Sequence, residues 1–221
     1  FHSIGLFSVF DADIMQSADV YTGGFSGEYG GRVSSIMDIT TRAGNNKRLS
    51  GKVSLSTFGA KALLEGPLKK AKTKNDGTIS YILSAKTSYL DQSSKTLYSY
   101  ADSNGLPYKF NDLYGKISFA APSGSKADLF GFNFTDDASY RNGTSIGWRN
   151  FGGGGRFLLL PKGSSAIVEG NLAVSRYLIQ MDEPSARTRK SGVNGFNFGI
   201  GSTYFTGDNE FKFGIDIVGF T

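Results

Sequence analysis

Residues 196–217 read FNFGIGSTYFTGDNEFKFGIDI, with apolar side chains at every second position over most of this stretch, on both sides of a turn. The run after the turn sets Phe211, Phe213, Ile215 and Ile217 against Lys212, Gly214 and Asp216, and the run before it sets Phe196, Phe198, Ile200 and Tyr204 against Asn197, Gly199, Gly201 and Thr203. A period of two residues is that of a β-strand with two different faces. The stretch therefore predicts two antiparallel strands joined by a short turn at Thr206 to Asn209, with one aromatic face and one polar face.

The same alternation extends back along the chain to about residue 52. Residues 79–90 follow it with Ile82 as the one exception, and residues 128–135 predict Phe130, Phe132 and Phe134 on the apolar face. The composition agrees, because 30 Gly, 18 Phe and 11 Tyr among 221 residues favour aromatic strands whose backbones approach closely. No helical period stands out, so the sequence predicts an all-β, antiparallel fold.

Composition also excludes several kinds of chemistry. The chain has no cysteine, which rules out disulfides and thiolate sites, and its net charge of +5 is spread singly along the chain, which does not favour nucleic-acid binding. His2, the only histidine, has no carboxylate pattern beside it, and we expect Asp136–Asp137 and Asp182–Glu183 to be solvated loop charges. Gly152 to Gly155 lacks the following Lys-Ser/Thr of a phosphate loop and is predicted as a glycine-rich strand. We therefore expect no enzyme activity, no cofactor and no metal site.

The connections between the predicted strands alternate between short and long. Short ones are predicted at 69–77, 122–125, 161–165 and 206–209, and long ones at 91–112, 136–150 and 178–194. Transmembrane β-barrels have short turns on one side and long loops on the other, with strands of about 9 to 11 residues. Aromatic residues near strand ends fit the interfacial girdle of such a barrel: Tyr89, Tyr114, Tyr140, Trp148 and Tyr177. A soluble β-sandwich shows the same alternation of faces, so it stays as an alternative.

Residues 1–49 have a different pattern. Two strand-like runs, one ending near Tyr21 and one from Val33 to Thr41, flank a glycine-rich stretch and are predicted to pair as a small hairpin. Arg42 to Arg48 then read as a polar linker. We therefore divide the chain into an N-terminal part, 1–49, and a strand-rich part, 50–221.

The N-terminal part carries a family resemblance. Residues 19–41 read DVYTGGFSGEYGGRVSSIMDITT, and Leu64-Glu65-Gly66-Pro67-Leu68 follow beyond the linker. Together they resemble the end of the plug domain and the first barrel hairpin of TonB-dependent outer-membrane receptors, especially the branch of Bacteroidetes-type nutrient importers. The plug motif of this resemblance comprises Gly23, Gly24, Glu28, Tyr29, Gly30 and Gly31.

The resemblance implies a plug folded inside a barrel of about 22 strands in the bacterial outer membrane. It also implies contact with outer-membrane lipid, energy from an inner-membrane TonB-type protein, and import of a scarce nutrient such as a glycan, peptide or metal chelate. A surface lipoprotein is a further partner that it leaves open. Because the sequence holds only about nine candidate strands and no TonB box, we expect a fragment: the end of the plug and a partial barrel. Open edges of such a sheet are costly in lipid.

Candidate site residues follow from this picture. Tyr98, Tyr100 and Tyr108, in the predicted loop 91–112, are suited to stacking on a flat ligand or to packing on one another. Charged residues on the polar sides of strands are expected to line the interior: Lys86, Lys116, Glu169, Lys212 and Asp216. We predict that Arg32 and Arg42 of the plug pair with inward carboxylates such as Glu65 and Glu169. The rival functions are a secreted, soluble all-β carbohydrate-binding or adhesion domain and a porin-like channel.

Overall fold

The computed structural model describes residues 11–24, 34–100 and 103–221. Within these ranges the regular secondary structure is almost entirely β-strand, with one short helix. The strands are β1 (Met15–Tyr21), β2 (Ile36–Thr41), β3 (Ser50–Leu55), β4 (Gly59–Lys69), β5 (Thr78–Ser88), β6 (Tyr108–Ala120), β7 (Lys126–Ser139), β8 (Ser145–Leu159), β9 (Ala166–Asp182), β10 (Arg189–Thr206) and β11 (Asn209–Phe220), and one helix, α1, spans Leu90–Leu97. The all-β prediction is confirmed. No helix in the described ranges is long and apolar enough to cross a bilayer.

The strands form two antiparallel sheets. β1 and β2 pair as a separate hairpin, and β3 to β11 form a nine-stranded sheet in which each strand lies beside its neighbours in sequence. The hairpin predicted for residues 1–49 and the one predicted around Thr206 to Asn209 are both confirmed. Among the described residues β3 and β11 do not pair with each other, so the large sheet is open. It therefore has two edges.

The ladder register divides the large sheet into two faces, because directly paired residues point to the same side. One side, the outer face, carries apolar side chains that stay exposed: Phe213 and Ile215 of β11 are 65% and 64% exposed. The other side, the inner face, carries Ser84, Asp112 and Lys116, which are all buried. The same register puts the predicted interior charges Lys86, Lys116, Glu169, Lys212 and Asp216 on the inner face.

The buried core lies between the inner face and the residues that precede β1. Ile14 is 2% exposed and packs with Leu63, Ile82 and Tyr114. Ile82 broke the alternation of β5, and its position explains why, since an apolar group was required on the polar face where Ile14 packs. Gly44, in the linker, lies so close to β5 that a Cβ there would be 1.9 Å from the Tyr81 carbonyl oxygen. The N-terminal part thus rests directly on the sheet.

One predicted face is wrong. Phe130, Phe132 and Phe134 of β7 are ladder partners of inner-face residues; Phe130, for example, pairs with Lys116. These three rings therefore lie on the inner face with the charged residues, and not on the outer face. Phe132 and Phe134 stack with ring centroids 5.0 Å apart, and the Phe132 ring lies over Gly152 of β8, where a Cβ would be 2.9 Å from it. Glycine on β8 leaves the space that these rings fill. Gly152 to Gly155 lie within β8, which confirms the predicted glycine-rich strand.

The predicted strand lengths and loops are also partly wrong. Strands β6 to β11 have 12 to 18 residues, because the stretches 136–150 and 178–194 are mostly strand and leave short turns at 140–144 and 183–188. The loop 91–112 contains most of α1 and the start of β6. Tyr114, Trp148 and Tyr177 point to the inner face by register, so they form no outward girdle. The predicted asymmetry between the two ends of the sheet therefore rests on one long connection, 89–107.

Candidate functional site

The site that the fold builds is the contact between the N-terminal part and the inner face. Arg42 follows β2, where its backbone N–H donates to the Ile14 carbonyl at 2.9 Å. Its guanidinium donates from Nη1 to Glu65 Oε2 at 2.5 Å and from Nη2 to Glu65 Oε1 at 3.2 Å, while Nε donates to the Asp13 carbonyl at 2.6 Å. The backbone N–H of Asn45 also donates to Glu65 Oε2, at 2.9 Å. Glu65 thus receives a two-pronged arginine contact and an amide, an arrangement with strong directional preference.

Two aspartates next to this pair contact lysines of the sheet. Asp11 accepts hydrogen bonds from Lys61 Nζ at 2.8 and 2.9 Å. Asp13 accepts from Lys52 Nζ at 2.8 Å and lies 2.5 Å from Lys61 Nζ. The hydrogen bonds from Lys52 and then Lys61 hold the pKa of the Asp13 carboxyl below its usual range. Lys61 therefore bridges both carboxylates, and the N-terminal part is attached to β3 and β4 by ionic contacts.

A third set of contacts begins at Thr41, the last residue of β2. Tyr114 donates its hydroxyl to Thr41 Oγ1 at 2.9 Å, and Lys116 Nζ donates to the Thr41 carbonyl at 2.8 Å. Lys116 also lies 3.3 Å from Asp128, which accepts a hydrogen bond from Arg156 Nε at 2.9 Å. A polar chain thus runs from the hairpin across β6 and β7 to β8. Such a connected network costs most when one member is removed.

The sequence-predicted residues are distributed unevenly over this site. Arg42 and Glu65 are brought together. Glu169 lies instead 3.7 Å from Lys212 on β11, away from the hairpin contacts, and both are partly exposed. Gly23 and Gly24 follow β1, with Gly24 at φ +66, and no atom approaches within 4 Å of a Cβ built at either. Arg32, Glu28, Tyr29, Gly30 and Gly31 lie outside the described residues, as does His2.

Sequence reasoning missed most of the partners. Lys61 lies about 50 residues after Asp11 and Asp13 in the sequence, and no local pattern links it to them. Tyr114 was assigned to a girdle, whereas its hydroxyl bonds Thr41. Period-two alternation placed Lys116 on the inner face but did not reveal its contact. The one signal that marked this region was Ile82, the apolar exception on a polar face.

The three predicted ligand tyrosines lie at the helix and the start of β6. Tyr98 and Tyr100 meet edge to face at 6.4 Å, and the Tyr98 hydroxyl is 2.5 Å from Thr57 Oγ1 in the β3–β4 turn. Tyr100 is 87% exposed. Tyr108 starts β6 and neighbours Tyr140 in the turn after β7, where burial and then Tyr108 raise the pKa of Tyr140. The structure therefore pairs Tyr98 with Tyr100 and places Tyr108 beside a different aromatic residue.

The described residues hold no cluster of three or more His, Asp or Glu side chains that suits a metal ion. Asp136 is buried in β7, so it is not the solvated loop charge that was expected, while Asp182 accepts hydrogen bonds from Gln180 and Thr188 and Glu183 pairs with Arg189 near the surface. What the site can do is hold one part of the chain against another through ion pairs on a sheet whose other face is apolar.

Comparison with protein-family models, with curated proteins and with solved structures finds no match for this chain.

Proposed function

We propose that the chain is part of an outer-membrane TonB-dependent receptor, in which residues 1–49 are the end of the plug with its linker and β3 to β11 are strands of the barrel wall. The receptor binds a scarce nutrient outside the cell and imports it with energy from an inner-membrane protein. It performs no chemistry on its cargo. Two observations support the proposal: the resemblance of residues 19–41 to the plug of that family, and the arrangement of the two faces of the large sheet.

The observation that carries the proposal is that apolar side chains are exposed on one face of the large sheet while charged side chains are buried on the other, the reverse of a soluble protein. Large apolar side chains lie exposed across the outer face of β4 to β11: Leu64, Leu83, Leu113, Leu129, Leu172, Phe198, Phe213 and Ile217. Asp112, Lys116 and Glu65 are buried on the inner face. Soluble monomers rarely leave so large a continuous apolar patch uncovered, whereas a barrel in lipid needs an apolar exterior and tolerates a polar interior.

The two open edges support the same proposal. The free edges of β3 and β11 expose backbone N–H and C=O groups, each of which costs several kcal/mol if it is left unpaired in lipid. Further strands at both edges are therefore part of the proposal. A secreted sandwich domain would instead need a second sheet over the outer face. In the part of the chain that the structure describes, no such sheet covers that face, because the N-terminal part with its β1–β2 sheet contacts the inner face instead.

The docked hairpin distinguishes a plugged receptor from an open porin-like channel. Residues 11–14 and 41–45 contact the inner face of β3 to β6 through ion pairs, hydrogen bonds from Tyr114 and Lys116, and the Ile14 core. A hairpin held in this way fills part of the space that an open pore leaves to water. Energised import requires such an obstruction to be released, which is the role we propose for the ionic contacts around Glu65 and Lys61.

The test is the behaviour of the full-length protein in membranes. We expect it to sediment with the outer membrane, to require detergent for extraction, and to migrate faster in electrophoresis before boiling than after it. A protein that stays in aqueous buffer without detergent would overturn the membrane assignment. Uptake should also cease in cells that lack the inner-membrane energy-coupling protein, and uptake that persists there would favour the porin.

Ligand contact is proposed for Tyr98 and Tyr100. The exposed Tyr100 ring, held edge-on by Tyr98, is suited to stack on a sugar or another flat group. Tyr100→Ala should weaken uptake of the nutrient by roughly tenfold, as expected for loss of 1 to 2 kcal/mol of stacking. Tyr177→Ala, a tyrosine of the inner face, is the comparison. Equal uptake by the Tyr100 variant and the unaltered protein would remove Tyr100 from the binding site.

A further inference from the structure

The outer face is not uniform, because glycines on neighbouring strands leave two grooves in it. The first has a volume of about 610 Å³, has Gly115 and Gly131 in its floor, and is walled by Leu64, Leu83 and other aliphatic or aromatic side chains. The second has a volume of about 740 Å³ and lies over the backbone of Gly152 and Gly153, between Phe151, Val174 and Phe196. Both are large enough for a hydrocarbon chain.

The second groove differs from the first because polar groups close one end of it. Arg176 of β9 lines the groove together with Asn133 and Asn194. Arg149 of β8 lies diagonally across from Arg176, since Arg149 pairs with Leu178 and Phe151 pairs with Arg176. Diagonal neighbours on one face lie about 7 to 8 Å apart, within reach of two long side chains that converge on one group.

These two arginines have no counter-ion in the part of the chain that the structure describes. Neither forms an ion pair or a side-chain hydrogen bond with a described residue, and both are exposed. They stand beside apolar side chains, where an unpaired guanidinium is costly near lipid unless an anion meets it. A guanidinium matches phosphate with two parallel hydrogen bonds.

The positions of the charged outer-face residues along the strands also support binding of an anion at this place. Within β5 to β11 the charged residues of the outer face lie only near the ends that adjoin the turns 140–144 and 183–188: Lys109, Asp137, Arg149, Arg176, Asp182 and Lys190. Towards the opposite ends of these strands the outer face carries apolar and uncharged polar residues but no charged one. With four basic and two acidic residues, this rim is cationic on balance. A boundary between an apolar band and such a rim is where the headgroups of a bilayer lie, and basic residues there attract anionic lipid.

We propose that this second groove binds an anionic membrane lipid, with an acyl chain between Phe151, Val174 and Phe196 and a phosphate group held by Arg149 and Arg176. This site rests on the proposed membrane function and adds a bound component to it. The first groove has one cationic lining residue, Lys116, whose ammonium group already contacts the Thr41 carbonyl and Asp128, so this groove takes acyl chains without preference for the headgroup. The lipid is a component of the surrounding membrane rather than free phosphate.

The experiment measures lipid binding to the detergent-purified full-length protein by native mass spectrometry. The probes are dioleoyl phosphatidic acid, dioleoylglycerol with the same chains and no phosphate, and inorganic phosphate. The double variant Arg149→Gln/Arg176→Gln should weaken phosphatidic acid binding at least about tenfold and leave dioleoylglycerol unchanged. Lys72→Gln/Lys74→Gln, which removes the same charge from the 70–77 turn, should change neither. Val174→Phe should weaken both lipids by filling the groove.

Two outcomes overturn the lipid site. One is equal phosphatidic acid binding by the arginine double variant and the unaltered protein, and the other is displacement of the lipid by inorganic phosphate at an equal concentration. Heat-shifted electrophoretic migration of each variant reports membrane folding separately. Variants that fold in this assay and keep lipid binding refute the site alone, whereas an unaltered protein that needs no detergent refutes the proposed function.

Discussion

Substitution of Glu65 by Gln removes the charge at the centre of the hairpin contact while keeping the side-chain shape. Glu65 accepts hydrogen bonds from two nitrogens of Arg42 and from the Asn45 amide. After the change, Arg42 keeps its bond to the Asp13 carbonyl but loses its counter-ion. The fold of the large sheet should survive, because the ladder partners of β4 are backbone groups. The effect is expected on the attachment of the N-terminal part alone.

The magnitude follows from exposure. Removing one partner of a buried ion pair costs about 3 to 5 kcal/mol, and exposed pairs contribute about 0 to 1 kcal/mol. The Glu65 side chain is 11% exposed and that of Arg42 is 31% exposed, so this pair is intermediate. We expect a loss of about 2 to 3 kcal/mol in the free energy that holds the hairpin. That loss corresponds to a rise of about 30- to 140-fold in the population of the detached hairpin.

The amides of β1 and β2 are hydrogen-bonded to each other, and a two-stranded hairpin detached from the sheet is only marginally stable in water. Amide hydrogen exchange of β1 and β2 in the detergent-folded protein therefore measures this population. Exchange of amides in Met15–Tyr21 and Ile36–Thr41 should accelerate by that factor, while amides of β8 to β10 stay unchanged. Glu210→Gln, which removes the same charge from the exposed start of β11, is the matched control and should leave β1 and β2 as they were. An acceleration below about threefold in the Glu65 variant would refute the conclusion that this ion pair holds the hairpin.

Three further predictions concern the same contact and the outer face. Because lysine hydrogen bonds lower the pKa of Asp13, its contribution is present above the ordinary carboxyl pKa of about 4 and is lost as pH falls through the lowered value. Protection of β1 and β2, corrected for intrinsic exchange, should therefore decrease when the pH is lowered below about 4, and Asp13→Asn should make that decrease smaller; an unchanged pH profile in this variant would contradict it. Ile14→Ala should cost about 2 to 5 kcal/mol of hairpin attachment against about 0.5 to 1.5 for Ile14→Val, as measured by the same exchange, and equal costs would mean that Ile14 is not packed. Leu172→Arg on the outer face should cost about 2 to 4 kcal/mol in a folding titration with lipid vesicles, whereas Asn171→Arg on the inner face should cost much less, and the reverse order would exchange the two faces.

The large sheet was predictable because it depends on local signals. In β10 and β11 the alternation of Phe and Ile with Gly and Asn assigns both faces, and the turn at Gly207 has the positive φ that glycine accommodates. The lengths of β8 and β9 were not predictable from the same signal, because their ends carry polar residues such as Arg149 and Gln180. Taken from the sequence of a single strand, such polar residues predict a loop. They continue the ladder in the structure because the neighbouring strand pairs with them.

The candidate site was predictable only in part. Arg42 and Glu65 were expected as oppositely charged residues of the two parts of the chain. Whether Arg42 meets Glu65 or Glu169 depends on where the hairpin rests on the sheet, and the 2.5 Å contact to Glu65 follows from packing of Ile14 against Ile82 nearby. Asp11 and Lys61 lie 50 residues apart, so no local pattern links them.

By itself, the sequence determined the strand period, the positions of the four short turns, the antiparallel order and the hairpin of the N-terminal part, since these depend on neighbours along the chain. Only the tertiary structure decided that Phe130, Phe132 and Phe134 point inward and that the apolar residues of β10 and β11 stay uncovered. It also decided which carboxylates meet which cations. The physical reason is that the alternation of apolar and polar residues distinguishes the two faces of a strand but does not determine which face is buried. That choice is made by the register with the next strand and by the segment that packs on the sheet.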